Sequence, residues 1–367
     1  MIKLCYVLSY RDPRYIRTLS LLNGLALLPD VEVYVAINQS KGLWRYIDTL
    51  FQVWRIKRRY YPDCYLLGFR GHELFWLLRW LIGRKPLIFD SLMSPHSALR
   101  DDRKLGWLGS VISHPWYFLE KAILHQADSV LTDTRLHVEF LADHFNLCRS
   151  SIYAVPIGAL DRLPIDSNRS EPSDKKFNVL FYGSFLPLHG IAIILRAAAM
   201  LRHLPIFFTF IGGGGSSLRQ FQRWCQLLQL QNYHHLRWVD FDSLLDEYIA
   251  EAALCLGGPF GDTPQARRVV TGKTVQCLAM QRATVIGDIA EDFGFIDKYN
   301  CLLVRQGDPA ALASVIEWAY LNQDQLLIIG KRGHELYQEG FSEVRIAHQL
   351  KVVIAQLNHR DVRTIGI

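Results

Sequence analysis

The chain has 367 residues, of which half are hydrophobic and 21% are charged. This length exceeds one ordinary hydrophobic core, so we expect two domains, and the composition excludes a disordered protein. No apolar run reaches the roughly 18 residues of a membrane-spanning helix. The seven cysteines are scattered and form no CxxC pair. This argues against a zinc site or a disulfide framework and favours a reducing, cytoplasmic setting.

The positive charge is confined to the N-terminal half. Residues 1–165 contain 21 basic and 15 acidic side chains, which accounts for the whole formal net charge of +6. A basic half attracts phosphate-bearing or membrane-surface partners, although a basic surface that only keeps the protein soluble gives the same count.

The first half of the chain alternates between strands and helices. Strands are predicted at 2–8, 31–37, 64–69, 86–90, 129–133 and 151–158. Helices are predicted at 15–28, 43–60, 73–82 and 135–145. This alternation indicates a doubly wound parallel sheet.

The segment 160–176 is rich in Pro, Ser, Asp and Lys and is typical of a linker. Beyond it, strands are predicted at 177–183, 206–212, 236–239, 253–257, 283–288 and 301–304. Helices are predicted at 190–203, 217–229, 243–250, 309–321, 323–338 and 342–357. We therefore predict an α/β fold with two Rossmann-like domains, 1–165 and 166–340, facing each other across a cleft. The C-terminal helix of 341–367 is expected to pack back on the first domain.

The stretch RRVVTGKTVQ, residues 267–276, contains a Gly-Lys-Thr triplet of the kind found in P-loops. A P-loop needs a glycine five residues before the Gly-Lys pair, and here that position is Arg267. It also needs a Gly-rich loop between a strand and a helix, which the residues before Gly272 do not provide. The triplet is therefore not a P-loop, and Lys273 needs another explanation.

Six segments resemble, in the same order, motifs of glycosyltransferase family 4, whose members have the GT-B fold. They are SYRDPRYIRTLSLLNGL, EKAILHQADSVLTDTRLHVEFL, VPIGALD, FYGSFLPLHGIAIILRAAAML, FTFIGGGG and KTVQCLAMQRATVIGD. Together they span nearly the whole chain. The resemblance implies retaining transfer of a hexose-type sugar from a nucleotide-diphosphate donor, held by the C-terminal domain. A glycan or lipid-linked acceptor would be held by the N-terminal domain.

Two glycine turns are predicted to approach the donor. Gly183, Ser184 and Phe185 follow a strand and precede a helix, whose N-terminus favours a phosphate. Gly212 and Gly213 end the next strand and permit the same close approach, although a flexible turn explains them as well.

The leaving diphosphate gains charge in the transition state, so fixed cations or a metal must meet it. Relatives in the family place an Arg and a Lys in the turn 183–190, where this chain has Ser184 or Phe185 and His189. This departure makes Arg267, Arg268 and Lys273 the candidates for that role. The region has no Asp-x-Asp pair flanked by apolar residues, so neither a metal nor a cofactor is predicted.

The Glu-x7-Glu motif of the family is also altered. Its second glutamate, a ribose ligand in the family, aligns with Gln276, which can still accept and donate hydrogen bonds. The first falls near Asp262 and Thr263, which are predicted to contact the sugar. Structural alternatives exist: Asp262 stabilises the turn, the two arginines are solvated, and Lys273 caps a helix.

On the acceptor side, Asp90 ends the strand 86–90 and His96 lies in the loop after it. Asp90, His96 and Lys273 are the predicted catalytic residues. In this fold the leaving phosphate can take the acceptor proton, so Asp90 or His96 would position the acceptor or polarise the sugar. Further acceptor-side candidates are Asp12, Arg14 and Asp101.

The predicted helix 43–60 places Trp44, Ile47, Leu50, Phe51 and Trp54 near helical spacing, with basic residues at its end. An interfacial membrane helix has this pattern. A helix packed on a sheet has it too, and we slightly favour packing.

The sequence therefore predicts a metal-independent retaining glycosyltransferase of cell-surface polysaccharide biosynthesis. It would act in the cytoplasm as a peripheral protein on the inner membrane face, with an anionic membrane surface as a hypothetical partner and no nucleic acid. The alternatives are a non-catalytic GT-B binding protein and a nucleotide-sugar epimerase, which would need carboxylates around the sugar.

Overall fold

The computed structural model describes residues 1–10, 14–40, 42–100, 106–160 and 177–364. The chain divides into two compact units. Unit 1 comprises Met1–Gly158 together with the C-terminal segment from Glu343, and unit 2 comprises Ala159–Ser342.

Unit 1 contains six strands: β1 (Ile2–Val7), β2 (Val31–Ala36), β3 (Cys64–Leu67), β4 (Leu87–Asp90), β5 (Ser129–Thr132) and β6 (Ile152–Ala154). Its helices before the junction are α1 (Ile16–Ala26), α2 (Trp44–Tyr60), α3 (Phe75–Ile82), α4 (Pro95–Arg100), α5 (Gly106–Gln126) and α6 (Arg135–Phe145). Short 3₁₀ turns occupy Gly71–Glu73 and Arg149–Ser151.

Unit 2 contains β7 (Phe177–Gly183), β8 (Ile206–Gly212), β9 (Tyr233–Leu236), β10 (Leu254–Leu256), β11 (Thr284–Gly287) and β12 (Leu302–Val304). Its helices are α7 (Ile191–Met200), α8 (Gly215–Leu227), α9 (Phe241–Ser243), α10 (Gly272–Ala279), α11 (Pro309–Leu321) and α12 (Gln323–Gly340). A π-helical turn, Leu244–Ile249, continues α9, and 3₁₀ turns occupy Pro187–His189 and Ala266–Arg268. The last helix, α13 (Glu343–Thr364), returns to unit 1.

The sheet of unit 1 is parallel, in the order β2-β1-β3-β4-β5-β6, and is covered on both faces. Successive residues of β1 point to opposite faces, as strand geometry requires. Cys5 and Val7 join the core beneath α2, α3, α5 and α6, whereas Leu4 and Tyr6 join the core beneath α1 and α13. Near-continuous apolar strands are expected of a parallel sheet buried on both faces.

The sheet of unit 2 is also parallel, in the order β12-β11-β10-β7-β8-β9. Val179 and Phe181 of β7 pack into a core with α7, α8 and α11. Leu180, between them, packs on the opposite face with the π-helical turn and α10. Because all the strands are parallel, their carboxyl ends lie at one edge of the sheet, and the loops that follow them meet there.

The structure confirms the prediction of two α/β units with parallel sheets. β7, β8, α6 and α11 have the same limits as predicted from the sequence, and most other elements differ from it by a few residues. The prediction gave no bounds for α4, α5 or α10, and the strand expected at 236–239 is β9, which ends at Leu236. None of the helices in the described ranges is both long enough and apolar enough to cross a bilayer.

Candidate functional site

In unit 2, neighbouring strands β7 and β8 end at glycines that face each other. Gly183 and Gly212 are partners in the strand register, and their φ angles are 143° and 116°. The N–H of Gly213 donates to the carbonyl of Gly183 over 3.1 Å. A Cβ added at Gly212 would lie 2.0 Å from the Gly183 oxygen. Only glycine fits this arrangement without strain, and it leaves backbone without side chains at the sheet edge.

Helix α10 begins beside these glycines and is held firmly at its first turn. The Thr271 hydroxyl caps the helix by accepting the Thr274 N–H, and it donates to the carbonyl of Gly257 over 2.7 Å. The Thr274 hydroxyl donates to the carbonyl of Gly258 over 3.0 Å. Both contacts tie the start of α10 to the loop after β10, so Lys273, between the two threonines, has a fixed position.

The side chain of Lys273 points at the glycine turn. A Cβ on Gly183 would lie 3.5 Å from Lys273 Nζ and 3.3 Å from His189 Cε1. These three residues therefore surround one small space at the sheet edge. The ammonium also lies 5.5 Å from the centre of the Phe181 ring, within cation–π range.

Lys273 is only 8% exposed, and burial lowers its pKa from 10.5 to about 7. In the part of the chain that the structure describes, its ammonium makes no hydrogen bond and no ion pair with a carboxylate. A lysine is almost never buried in this way without a partner. A bound anion next to Lys273 would therefore be electrostatically favourable.

His189 is oriented by a hydrogen bond from the backbone of its own turn. The N–H of Leu186 donates to His189 Nδ1 over 3.2 Å, so the neutral ring carries its proton on Nε2. The turn that bears His189 is fixed in turn, because the Gly261 N–H donates to the Leu188 carbonyl over 3.0 Å.

Two helix N-termini lie at the same edge of unit 2. α7 begins at Ile191 directly after the His189 turn, and α8 begins at Gly215 after the second glycine turn. The first backbone N–H groups of a helix and its dipole favour a negative charge. Together with Lys273, these helix ends make this edge of unit 2 attractive to an anion. Among the described residues, no cluster of His, Cys, Asp and Glu side chains could hold a metal.

Some predicted donor residues have other roles in the structure. Phe185 has φ 55° and is buried, with its ring against Phe221 and beneath Gly213, so its side chain belongs to the core. Ser184 is exposed in the turn, and its carbonyl accepts from the Ser217 hydroxyl.

Gln276 is also committed elsewhere. Its amide accepts from the Leu160 N–H over 3.1 Å and donates to the Leu160 carbonyl over 3.0 Å. It is buried, and both of its polar atoms hold the segment that enters unit 2. One donor and one acceptor of the amide are therefore engaged within the chain, and the ribose contact predicted from the family motif stays a prediction.

The side chains of Asp262 and Thr263 contact residues of their own loop. Asp262 pairs with Arg267, and both side chains are about two-thirds exposed, at 64% and 67%. The Thr263 hydroxyl accepts the N–H of Ala266 and begins the short 3₁₀ turn that contains Arg268. The alternative in which Arg267 is a solvated surface residue describes this geometry better than a diphosphate contact.

In unit 1, Asp90 is half of a buried ion pair. Its carboxylate accepts from Arg17 Nη2 at 2.8 Å and from Arg17 Nε at 3.1 Å, and neither side chain is exposed. Arg17 also donates to the carbonyl of Val155 over 2.6 Å. The carboxylate predicted to face the sugar instead joins α1 to the carboxyl ends of β4 and β6. Arg17 is the last residue of the quoted motif DPRYIR, and the sequence analysis overlooked it.

His96 is likewise buried. Its Nδ1 lies 2.9 Å from the Ser113 carbonyl, and its ring stacks on His144 at 5.1 Å. Its backbone N–H donates to Glu120 Oε2, which also accepts from the Ser94 hydroxyl. Burial raises the pKa of Glu120 to about 8. His96 therefore belongs to an internal cluster on Glu120, contrary to the predicted position at the acceptor.

One polar pair at the carboxyl edge of the unit 1 sheet was not predicted. Asp133 follows β5, and its Oδ1 lies 2.9 Å from His137 Nδ1, with both residues buried. Its Oδ2 is buried and has no hydrogen-bond partner within the described ranges. The sequence signal was the Asp at the end of a strand that the analysis had already identified.

The structure provides little information on the three remaining acceptor-side candidates. Arg14 is exposed immediately before α1. Asp12 and Asp101 lie outside the residues that the structure describes.

Comparison with solved structures identifies the fold. Sucrose-phosphate synthase from Thermosynechococcus elongatus matches with a TM-score of 0.76 and 17% identity, covering 98% of this chain and 100% of that one. HepE of Anabaena in complex with UDP and glucose matches at 0.70 and 13%, covering 97% and 100%. The lipopolysaccharide outer core galactosyltransferase WaaB matches at 0.60 and 11%, covering 97% and 99%. The fold is therefore that of the GT-B glycosyltransferases, as predicted.

Sequence comparison adds no family assignment. No protein-family model matches the chain. A search of curated proteins also gives no significant match.

Proposed function

We propose that the chain is a glycosyltransferase whose unit 2 binds a nucleoside-diphosphate sugar. The observation that carries the proposal is the largely buried Lys273, whose ammonium lies beside the Gly183 turn and has no counter-ion among the described residues. A bound diphosphate would supply that counter-ion. The likeness to HepE, which binds UDP and UDP-glucose, supports a uridine nucleotide as the first ligand to try.

The transfer is proposed to retain anomeric configuration and to need no metal, as the resemblance to family 4 implies. In the ground state, Lys273 holds the diphosphate, and the N-termini of α7 and α8 add fixed dipoles. As the sugar–phosphate bond breaks, charge grows on the leaving oxygen, and these donors stabilise it without reorganisation. The leaving phosphate can then take the proton of the acceptor hydroxyl.

The finer assignments rest on the sequence resemblance. We propose a hexose donor, a glycan or lipid-linked acceptor, and a place in cell-surface polysaccharide synthesis at the cytoplasmic face of the inner membrane. The likeness to a lipopolysaccharide galactosyltransferase favours an acceptor of this class.

Calorimetric titration with UDP, GDP, ADP and UDP-glucose, each with a chelator present, tests the proposal. We expect one nucleoside diphosphate to bind, and binding to be lost in Lys273→Met. Arg267→Gln is the matched control, because it removes an exposed cation of the same segment. If no nucleotide binds the wild-type protein, the proposed function fails. If binding requires added magnesium, metal independence fails.

A second candidate is a non-catalytic GT-B binding protein. It is favoured by one observation: Asp90 is held in a buried ion pair with Arg17, and His96 Nδ1 and the Gln276 amide also make internal contacts. Release of nucleoside diphosphate from UDP-glucose or another bound donor separates the two, because a binding protein retains its donor intact. The epimerase alternative has weaker support, since Asp262, the carboxylate predicted near the sugar, is paired with Arg267.

A further inference from the structure

Helix α2 has two apolar stripes, and only one of them packs on the sheet. Tyr46, Leu50 and Val53 face the core of unit 1. The second stripe recurs every three or four residues on the other side of the helix and is exposed, 71% in the case of Trp44; it consists of Trp44, Ile47, Phe51 and Trp54. The packing explanation that the sequence favoured therefore holds for Leu50 but not for these four residues.

Helix α3 adds a second exposed apolar set. Phe75, Leu78 and Ile82 pack inward, whereas Trp76, Leu77 and Trp80 are exposed, Trp80 at 85%. α2 and α3 cover the same side of the sheet and touch each other, with Lys57 Nζ donating to the Leu81 carbonyl over 2.6 Å. Their outward sides therefore form one surface, here called the aromatic face, which consists of Trp44, Ile47, Phe51, Trp54, Trp76, Leu77 and Trp80.

The aromatic face lies in the most basic part of the chain. Residues 43–85 contain nine basic and three acidic side chains, a surplus of six positive charges that equals the formal charge of the whole protein. Arg58 lies over the Trp54 ring at 4.5 Å, and Arg84 and Lys85 are exposed just after α3.

The three carboxylates in this region already have partners in the chain. Glu73 pairs with Arg45, Asp48 accepts the backbone N–H groups of Gln39 and Ser40, and Asp63 accepts the N–H of Lys3. Asp48 and Asp63 keep their negative charge, and Arg79 pairs with Asp128 outside this range. Apart from these ion pairs, seven basic and two acidic side chains of 43–85 remain, so the surplus charge of this region is positive.

The exposed aromatic rings and the positive charge together indicate what binds to the aromatic face. Exposed tryptophans with arginine and lysine at their margins suit the headgroup region of an anionic bilayer, where the rings enter the interface and the cations meet phosphate. A second copy of the chain would bring the same positive surplus against itself, which costs energy.

We propose that the aromatic face docks unit 1 on an anionic lipid bilayer, with α2 and α3 lying in the plane of the interface. The inference does not depend on the transfer reaction, because it concerns a surface remote in sequence from Lys273 and predicts binding without nucleotide.

Vesicle flotation tests the proposal with the full-length protein. We expect the protein to float with vesicles of phosphatidylcholine and phosphatidylglycerol, and to bind vesicles of phosphatidylcholine alone much more weakly. Added salt should reduce the binding. If the protein fails to float with the anionic vesicles, the proposal is overturned.

Variants on exposed positions show whether the aromatic face is responsible. Trp80→Ser and Trp76→Ser should each lower the partition coefficient roughly tenfold, because each removes a ring from the interface. Arg58→Gln should lower it about fivefold, the effect of one cation near an anionic surface. The matched control is Trp238→Ser, which removes a 78% exposed tryptophan from unit 2 and should change nothing.

Two results would contradict the assignment. If Trp238→Ser weakens vesicle binding as much as Trp80→Ser, the aromatic face is not the docking surface. If light scattering finds a dimer that Trp80→Ser dissociates, the occupant is a second copy of the chain. Circular dichroism of each variant confirms that the fold is intact.

Discussion

Each unit of the protein buries a cation at the carboxyl edge of its parallel sheet, but only one of the two cations is neutralised. In unit 1, Arg17 donates to Asp90 and to the carbonyl of Val155, and both charges are fully buried. In unit 2, Lys273 is buried beside Gly183 and His189 and has no carboxylate partner among the described residues.

This difference distinguishes a buried charge that stabilises the fold from a buried charge that is suited to bind a ligand. Burying a charge costs several kcal/mol unless it is paired and hydrogen-bonded. The Arg17 site meets this condition within the chain, so it needs no ligand, and its role is to hold α1 against the sheet. The Lys273 site does not meet it, and burial lowers the pKa of the lysine to about 7 instead. A bound anion would complete the second site in the way that Asp90 completes the first.

The largest expected effect on stability comes from breaking the buried ion pair of unit 1. Arg17→Met leaves the Asp90 carboxylate buried without its partner and should lower the free energy of unfolding by about 3–5 kcal/mol. Urea denaturation, with Arg14→Met as the exposed control, measures this. A loss no greater than that of the control would mean that the ion pair does not hold unit 1 together.

At the Lys273 site, substitution should change the free energy of unfolding in the opposite direction. Lys273→Met removes a buried charge that the ligand-free protein must accommodate, so it should raise the free energy of unfolding by about 1–3 kcal/mol. The folded-state pKa lies below the unfolded value, so the cost of the wild-type lysine is full below pH 7. It diminishes progressively as the pH rises toward 10.5.

The advantage of Lys273→Met should therefore be greatest below pH 7 and should fade above it. Thermal denaturation of both proteins across this range provides the measurement. A destabilised variant at pH 6 would show that Lys273 already has a stabilising partner within the chain.

A smaller effect is expected on the affinity for the nucleoside diphosphate, and it depends on pH. The protonated form of Lys273 attracts the diphosphate, and that form is depleted above pH 7. The Kd for the nucleoside diphosphate should therefore rise up to tenfold per pH unit, about 1.4 kcal/mol, between pH 7 and 9. The profile of Lys273→Arg should be flat over this range, because arginine keeps its proton. Equal slopes for the two proteins would remove Lys273 from the diphosphate contact.

The smallest effect is expected at the exposed pair of unit 2. Asp262→Asn and Arg267→Gln each break a solvated ion pair and should change the free energy of unfolding by no more than about 0.5 kcal/mol. Nucleotide affinity should also change little. A loss of affinity comparable to that of Lys273→Met would place Arg267 on the diphosphate after all.

The sequence predicted most of the fold because its signals are local. The apolar runs 177–183 and 206–212 identify β7 and β8, and both end in glycine. Helix α5 was missed because Gly, Ser and Pro115 interrupt its helical pattern. The sequence also could not determine which stripe of α2 faces the sheet, since both are apolar.

The site was only partly predictable, because its contacts join residues that are far apart in the chain. The missing Arg and Lys of the turn 183–190 made Lys273 a candidate for the diphosphate, and its Nζ does approach Gly183. The partner of Asp90 is 73 residues away, and the partner of Gln276 is 116 residues away. Residue type alone does not show that such a side chain is already engaged.

Proton uptake on nucleotide binding tests the central claim most directly. Calorimetric titration of the protein with the nucleoside diphosphate at pH 8, in buffers of different ionisation enthalpy, measures it. Because the pKa of free Lys273 is about 7 and a bound diphosphate raises it, binding should take up close to one proton. Lys273→Arg should bind with no uptake. Equal proton uptake by the two proteins would contradict the account, because the charge of Lys273 would then be unrelated to the ligand.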